Sequence, residues 1–394
     1  MNAALSNAQH PEYGKVIIPV PIPREEYDHI IELLEPLEIG DPIEKDCRID
    51  ELMGAYPVHN RMVGQEVNLD ELDYLMKLTD SFFEGEDAQY QGMAFKLGIT
   101  DITDFINLAF CFRQATVITN FSDLEAIGKE HYMNLHGGCA SIEELEHLDG
   151  QETAYLLITG DPGTITPYGV VYDNGMKLEQ IYRGKEFPEY HYEPCVMTVE
   201  MTATHKPDCP ENTTWLFLPA AEQQIHRAML RAGIDSEDNA RFRFSESGLP
   251  EEVDVALDFE RENIFELNRL CQVVKPMEPQ ELEKLGAAVQ MAQPVNAYQV
   301  RQLAENLEQF DFVPRIKTPE EYGKYLIQES GHFDFDENLE DYYNYGKYGR
   351  DQMGSESGEF NDRGYIAYKG VLSLEELMME EPGAQGFQMG GLCR

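Results

Sequence analysis

Apolar residues recur along this chain at two periods, one near two and one near 3.6, and the periods follow each other in the same order twice. Val16-Ile17-Ile18 predicts a strand. Over 24–37 the residues Ile30, Ile31, Leu33, Leu34 and Leu37 recur at helical spacing, followed by a polar stretch. Later, Trp215-Leu216-Phe217-Leu218-Pro219 leads into a helix carrying Ile225, Met229 and Leu230, and Arg241-Phe242-Arg243-Phe244 alternates as a strand does. Leu69, Leu72, Leu75 and Leu78, and again Leu267, Leu270, Val273 and Val274, stand three and four apart, which puts each set on one helical face. Further short helices are predicted over 102–112 and 300–310. Ser122-Asp123-Leu124-Glu125 and Thr318-Pro319-Glu320-Glu321 read as the N-cap and acidic first turn of another helix. Each series closes with a glycine-bounded strand, Gly169-Val170-Val171-Tyr172 or Gly364-Tyr365-Ile366-Ala367.

A shift of 195 positions superimposes the two series. It pairs Asn68 with Asn263, Glu71-Leu72 with Glu266-Leu267, Leu75 with Leu270, Leu108-Ala109 with Leu303-Ala304, and Glu125 with Glu320. It also pairs Gly128-Lys129 with Gly323-Lys324, Val171 with Ile366, and Gly169 and Gly175 with Gly364 and Gly370. Helical patterning alone would not align the glycines, and the period is too long for a solenoid. The fold class expected is therefore α+β, in two tandem copies. Each copy has a small α/β segment, a helical segment and a C-terminal α/β segment. The copies are placed at 1–201 and 215–377, with a linker at 202–214, where prolines and polar residues replace periodicity. The tail 378–394 is expected to be disordered.

Composition sharpens this picture. Two domains are the natural expectation for 394 residues, and 42% hydrophobic residues with 21 Tyr and 19 Phe are too much apolar material for a disordered acidic chain. The outlying quantity is charge: 73 acidic against 30 basic side chains, a formal net of −43. That much like charge opposes compaction, so it calls for a basic partner, a solubility role or an ionic environment. It argues against direct binding to nucleic acid, which needs Lys and Arg to displace counterions. The seven cysteines are odd in number, scattered and without a CxxC pair, and read as reduced thiols of a cytoplasmic protein. No stretch approaches the length of a membrane span, and the first residues lack a basic-then-apolar export signal.

Catalytic signatures are missing. Asp161-Pro162-Gly163-Thr164 lacks the frame of a phosphate-binding loop, and there is no GxSxG, HExxH or GxGxxG. His131, His136 and Cys139, and His205 with Cys209, are zinc-ligand types without the paired short spacings of a structural site, and neither group recurs at its shifted position. Asp334-Phe335-Asp336-Glu337-Asn338 imitates a calcium loop, but Leu339 stands where the turn glycine belongs. No cofactor, no metal and no catalytic residue are expected.

The densest acidic run is 319–362. Its candidate partner-binding carboxylates are Glu320, Glu321, Glu329, Asp334, Asp336, Glu337, Glu340, Asp341, Glu356 and Glu359, interleaved with six tyrosines. Asp70 and Glu71, in the first turn of the helix after Asn68, complete the set. A charge run is usually a solvated face, but two magnitudes favour more. Carboxylates three or four apart on a helix are separated by about 5–6 Å, on the scale of successive phosphates of a DNA strand. At roughly one charge per 1.7 Å of duplex, the net charge corresponds to about 70 Å of DNA, on the order of 20 base pairs.

These residues resemble the ArdA-type antirestriction proteins. The likeness is carried by Trp215-Leu216-Phe217-Leu218-Pro219, Glu266-Leu267-Asn268-Arg269-Leu270, Leu303-Ala304-Glu305-Asn306-Leu307, Gly323-Lys324-Tyr325 with Glu329 and Gly331, and Gly364-Tyr365-Ile366. Copy one keeps Asn68, Glu71, Leu72, Leu108, Ala109, Gly128 and Lys129, but has lost the Trp, and Phe110-Cys111-Phe112 replaces Glu-Asn-Leu. The resemblance implies a non-enzymatic protein of mobile genetic elements that mimics B-form DNA and occupies the DNA-binding groove of a type I restriction-modification enzyme. Family members act as elongated dimers, so the tandem form implies a monomer acting as a pseudo-dimer, or a homodimer. Three other readings compete: an acidic scaffold whose partner does not act on nucleic acid, an enzyme of unknown type, and adaptation to high salt.

Overall fold

The computed structural model describes residues 1–258, 261–331 and 334–379. The predicted tail therefore lies, beyond Met379, outside the described residues. The chain forms two compact units. Unit one comprises Met1–Glu193, Thr202–Trp215 and Ala221–Asn239; unit two comprises Pro194–Met201, Leu216–Ala220 and the chain from Ala240 onward.

Unit one opens with a four-stranded antiparallel sheet in the order Lys15–Pro19, Asn2–Asn7, Cys47–Met53, Glu66–Val67. Its helix is shorter than the predicted 24–37: Tyr27–Leu34 is α-helical and 3-10 turns flank it, the second holding Pro36, which cannot continue an α ladder. The predicted polar stretch contains the strand Cys47–Met53, hidden by a bulge. The register slips between Ala4 and Leu5, so Ile49 and Leu52, three apart, both point inward and the period of two is broken. Asn2–Asn7 is a central strand with Ala3, Ala4 and Leu5 all buried, and such a strand shows no alternation to read.

Helices Leu69–Asp80, Glu86–Leu97 and Ile102–Cys111 follow. Their inward Leu72, Leu75, Met93, Phe105 and Leu108 join Leu5, Ile18 and Ile49 of the sheet in one core. A second sheet, Thr116–Ile118, Gly169–Tyr172, Thr164–Thr166, is covered by the helices Leu124–Leu135 and Gly150–Gly160, with Ile118, Ile127, Ala154, Leu157 and Tyr172 as its own small core. The helix Glu222–Ala232 also belongs to unit one.

Unit two contains the sheet Ala240–Ser247, Met197–Ala203, Thr214–Leu218, in that order. The predicted linker at 202–214 is thereby corrected: these residues join two neighbouring strands of one sheet, and Met197–Ala203, assigned from sequence to the first copy, is its central strand. Prolines and polar residues mark a strand connection as readily as a domain boundary. Helices Ile264–Val274, Pro279–Ala292 and Ala297–Glu305 come next, then the sheet Phe310–Pro314, Gly364–Tyr368, Glu359–Phe360 with helices Pro319–Gln328 and Tyr345–Glu356.

Local devices recur 195 residues apart. The Asn68 side chain accepts from the N–H groups of Asp70 and Glu71, and that of Asn263 from Phe265 and Glu266, each closing a helix N-terminus. Asp73 accepts the Ile22 N–H at 2.7 Å, and Asn268 accepts the Ala220 N–H at 2.8 Å. The repeated glycines are contact points. A Cβ at Gly128 would collide with the Gly150 carbonyl and one at Gly323 with the Tyr345 carbonyl; Gly169 and Gly364 lie against the carbonyls of Ile118 and Val313.

Candidate functional site

Glycine contact between the helices Pro319–Gln328 and Tyr345–Glu356 builds the acidic region of unit two. Gly323 meets the Tyr345 carbonyl and Gly349 meets the Pro319 carbonyl, so the backbones touch and longer side chains are left for the outer faces. Beneath the pair, the rings of Tyr322 and Tyr365 stack at 3.8 Å between centroids. Both phenols donate to one Glu356 oxygen, at 2.7 and 2.8 Å, and burial together with that carboxylate pushes both phenol pKa values up. Glu356, predicted as a partner-binding carboxylate, therefore holds the helix pair to its sheet.

The helix Pro319–Gln328 starts with a capping box. Thr318 Oγ1 accepts the Glu321 N–H, and the Glu321 carboxylate accepts the N–H groups of Lys317 at 2.8 Å and Thr318 at 3.0 Å. Those backbone donors hold the Glu321 pKa below its ordinary value, so the group stays ionised while remaining exposed. Glu340 is likewise held low, first by the Gln328 amide and then by Lys324, whose Nζ lies 3.2 Å away. With both partners about half exposed (50% and 49%), that ion pair contributes little stability.

Glu320, Glu329, Asp334, Asp336, Glu337 and Glu359 are exposed, and none of the six forms an ion pair among the described residues. Asp336 caps the 3-10 turn Glu337–Tyr342, and Glu359 sits on an edge strand. Asp341 falls in the same turn, and its side chain lies outside the described residues. A cleft of about 510 Å³ runs along this face, lined by Thr318, Glu320, Glu321, Lys324, Glu340, Tyr343 and Tyr345. A second, of about 430 Å³, is lined by Phe312, Val313, Pro314, Arg315, Ile316, Glu321, Lys324, Tyr325 and Glu329.

Asp70 and Glu71 depart from the expectation of surface carboxylates. In unit one Asp70 accepts Arg227 Nε and Nη2 at 3.0 and 3.1 Å, Arg231 Nη2 at 3.1 Å and the Tyr27 hydroxyl at 2.8 Å, and only 12% of its side chain is exposed. Burial alone would raise its pKa; the two guanidiniums outweigh that and hold it below the usual carboxylate value. Arg231 also stacks on the Phe187 ring at 4.3 Å. Glu71 is buried and accepts the Tyr182 hydroxyl at 2.8 Å, with Lys45 Nζ 3.7 Å away. These two charges are compensated inside the fold. The partners lie far off in sequence, and nothing local to Asp70 announces them; the hint is Arg227 and Arg231 one turn apart on an amphipathic helix.

His131 is engaged with Thr116 and His136 with the Tyr132 carbonyl, and Cys139 is exposed. Among the described residues no group of three or more His, Cys, Asp or Glu side chains is placed to hold a metal ion. Nor, among them, is any helix long and apolar enough to cross a membrane.

What this geometry offers a partner is a fixed acidic protein surface, presented by capped and glycine-packed helices. Residues 212–367 match the family model of the antirestriction protein ArdA, and the chain thus contains an ArdA-family domain that includes this whole surface. The family ties the domain to restriction-modification systems in general. No curated protein matches the chain.

Proposed function

We propose that this chain is an acidic DNA-mimic antirestriction protein, which inhibits type I restriction-modification enzymes by occupying their DNA-binding groove. The observation that carries the reading is that the ArdA-family domain holds exposed, unpaired carboxylates on a rigidly packed helix pair. Fixed carboxylates substitute for phosphates because the partner's Lys and Arg side chains respond to the position of negative charge. The chain is further read as two diverged copies of one module. Equivalent caps, glycine contacts and sheet orders 195 residues apart support this. Two modules on one chain would replace a homodimer at high effective concentration.

The test is competition. A labelled duplex bearing the recognition sequence is bound to a type I methyltransferase core, and the full chain is titrated in at several salt concentrations. Mimicry requires displacement of DNA and an apparent affinity that falls steeply as salt rises. Failure to displace DNA at low salt would reject the reading in favour of an acidic scaffold.

A further inference from the structure

We propose that the outer face of the helix Gly150–Gly160 in unit one is a docking surface for a basic amphipathic helix of a partner protein. This helix has two sides. Ala154 and Leu157 are buried in the small core beneath it. Glu152, Tyr155, Leu156 and Thr159, at positions i, i+3, i+4 and i+7, form one outward stripe, and the two central residues are 57% and 67% exposed.

The fold does not require apolar residues there. The outer face of a surface helix is ordinarily polar, and 195 residues on, in the helix Tyr345–Glu356, Arg350 and Asp351 stand where Tyr155 and Leu156 do, both exposed. Leaving a Tyr and a Leu side by side in water carries a standing cost that burial against a partner removes.

Charge selects the occupant. Residues 130–176 contain no Lys or Arg, while Glu143, Glu144, Glu146, Asp149, Glu152 and Asp161 are all exposed. An apolar pair among carboxylates suits a helix whose own i, i+3 and i+4 anchors are flanked by Lys or Arg. The same charge disfavours an anionic lipid surface, a nucleic acid or a second copy of a chain that carries a net of −43. This surface goes beyond the proposed inhibitory one, since it lies outside the ArdA-family domain and can fail or hold independently of it.

The experiment uses the full chain and a fluorescent Leu/Lys amphipathic helical peptide, in about 0.15 M salt to screen non-specific attraction. A peptide of the same composition, with its leucines scattered around the helix, serves as the reference. The wild-type chain should bind the amphipathic peptide about tenfold more tightly than the scattered one, the equivalent of about 1.4 kcal/mol. The pair Tyr155→Ser with Leu156→Ser leaves the net charge unchanged and should abolish that preference. Arg350→Ser with Asp351→Ser should keep it. Equal binding of the two peptides by the wild-type chain overturns the proposal, as does an undiminished preference in the Tyr155/Leu156 variant. Light scattering covers the remaining occupant: a dimer that the Tyr155/Leu156 variant reduces to a monomer would assign the face to a second copy, and would also overturn it.

Discussion

Replacing Asp70 by Asn would leave the Arg227 and Arg231 guanidiniums, 6% and 9% exposed, facing a neutral amide. Breaking such a buried pair from one side costs about 3–5 kcal/mol, because the remaining charge is stranded. Asp70→Asn should therefore lower the urea midpoint sharply, whereas Glu320→Gln, at an exposed unpaired position, should leave it within about 0.5 kcal/mol. His59 gives the pH counterpart. It is fully buried, touches the Tyr90 hydroxyl at 3.2 Å, and burial pushes its pKa down to about 3. The fold holds it neutral, so its contribution is complete above the unfolded value of about 6.5 and is lost as pH falls from there towards 3, by at most about 1.4 kcal/mol per pH unit. Acid also relieves repulsion among the carboxylates, but equally in a His59→Gln variant. The difference between the two stability curves from pH 7 to pH 4 isolates the histidine, and parallel curves would contradict its assignment.

The helix pair Pro319–Gln328 and Tyr345–Glu356 depends on two glycines, and a third tests the argument by its sign. A methyl at Gly349 would run into the Pro319 carbonyl, and since backbone cannot swing aside, Gly349→Ala should destabilise by about 1–3 kcal/mol. Gly354, on the same helix, has open space around its Cβ position, so Gly354→Ala should instead stabilise by about 0.5–1 kcal/mol through helix propensity and lost unfolded-state freedom. Thermal or urea unfolding of both variants decides the matter. At this scale the sequence was readable wherever an element shows one face to water. The helices Leu69–Asp80 and Ile264–Val274, with their Asn caps, could be read from their Leu spacing. The central strands Asn2–Asn7 and Met197–Ala203 were not readable, because a strand buried on both faces carries no alternation.

Across the whole molecule, the net charge of −43 is a property of the ensemble of carboxylates. Under the proposed function no single phosphate substitute dominates. Reversing any one of Glu320, Glu321, Asp334, Asp336 or Glu337 to Lys should therefore weaken DNA competition less than about threefold, whereas reversing all five should abolish it and flatten its salt dependence. One reversal that removed inhibition while leaving the unfolding midpoint unchanged would point to a localised site. Light scattering should return the mass of one chain if tandem modules substitute for a dimer.

The sequence by itself determined the acidity, the two-fold order of segments, the glycines at which backbones touch, and the helix whose first turn is Glu320-Glu321. All of these are composition or local pattern, which the chain carries without folding. Tertiary structure alone decided which carboxylates face solvent. Asp70 and Glu71 look in sequence like Glu320 and Glu321, each pair opening a helix, yet the first pair is enclosed by Arg227, Arg231 and Tyr182 and the second meets water. Whether a charge is compensated depends on neighbours brought from more than a hundred residues away, and no local pattern records them.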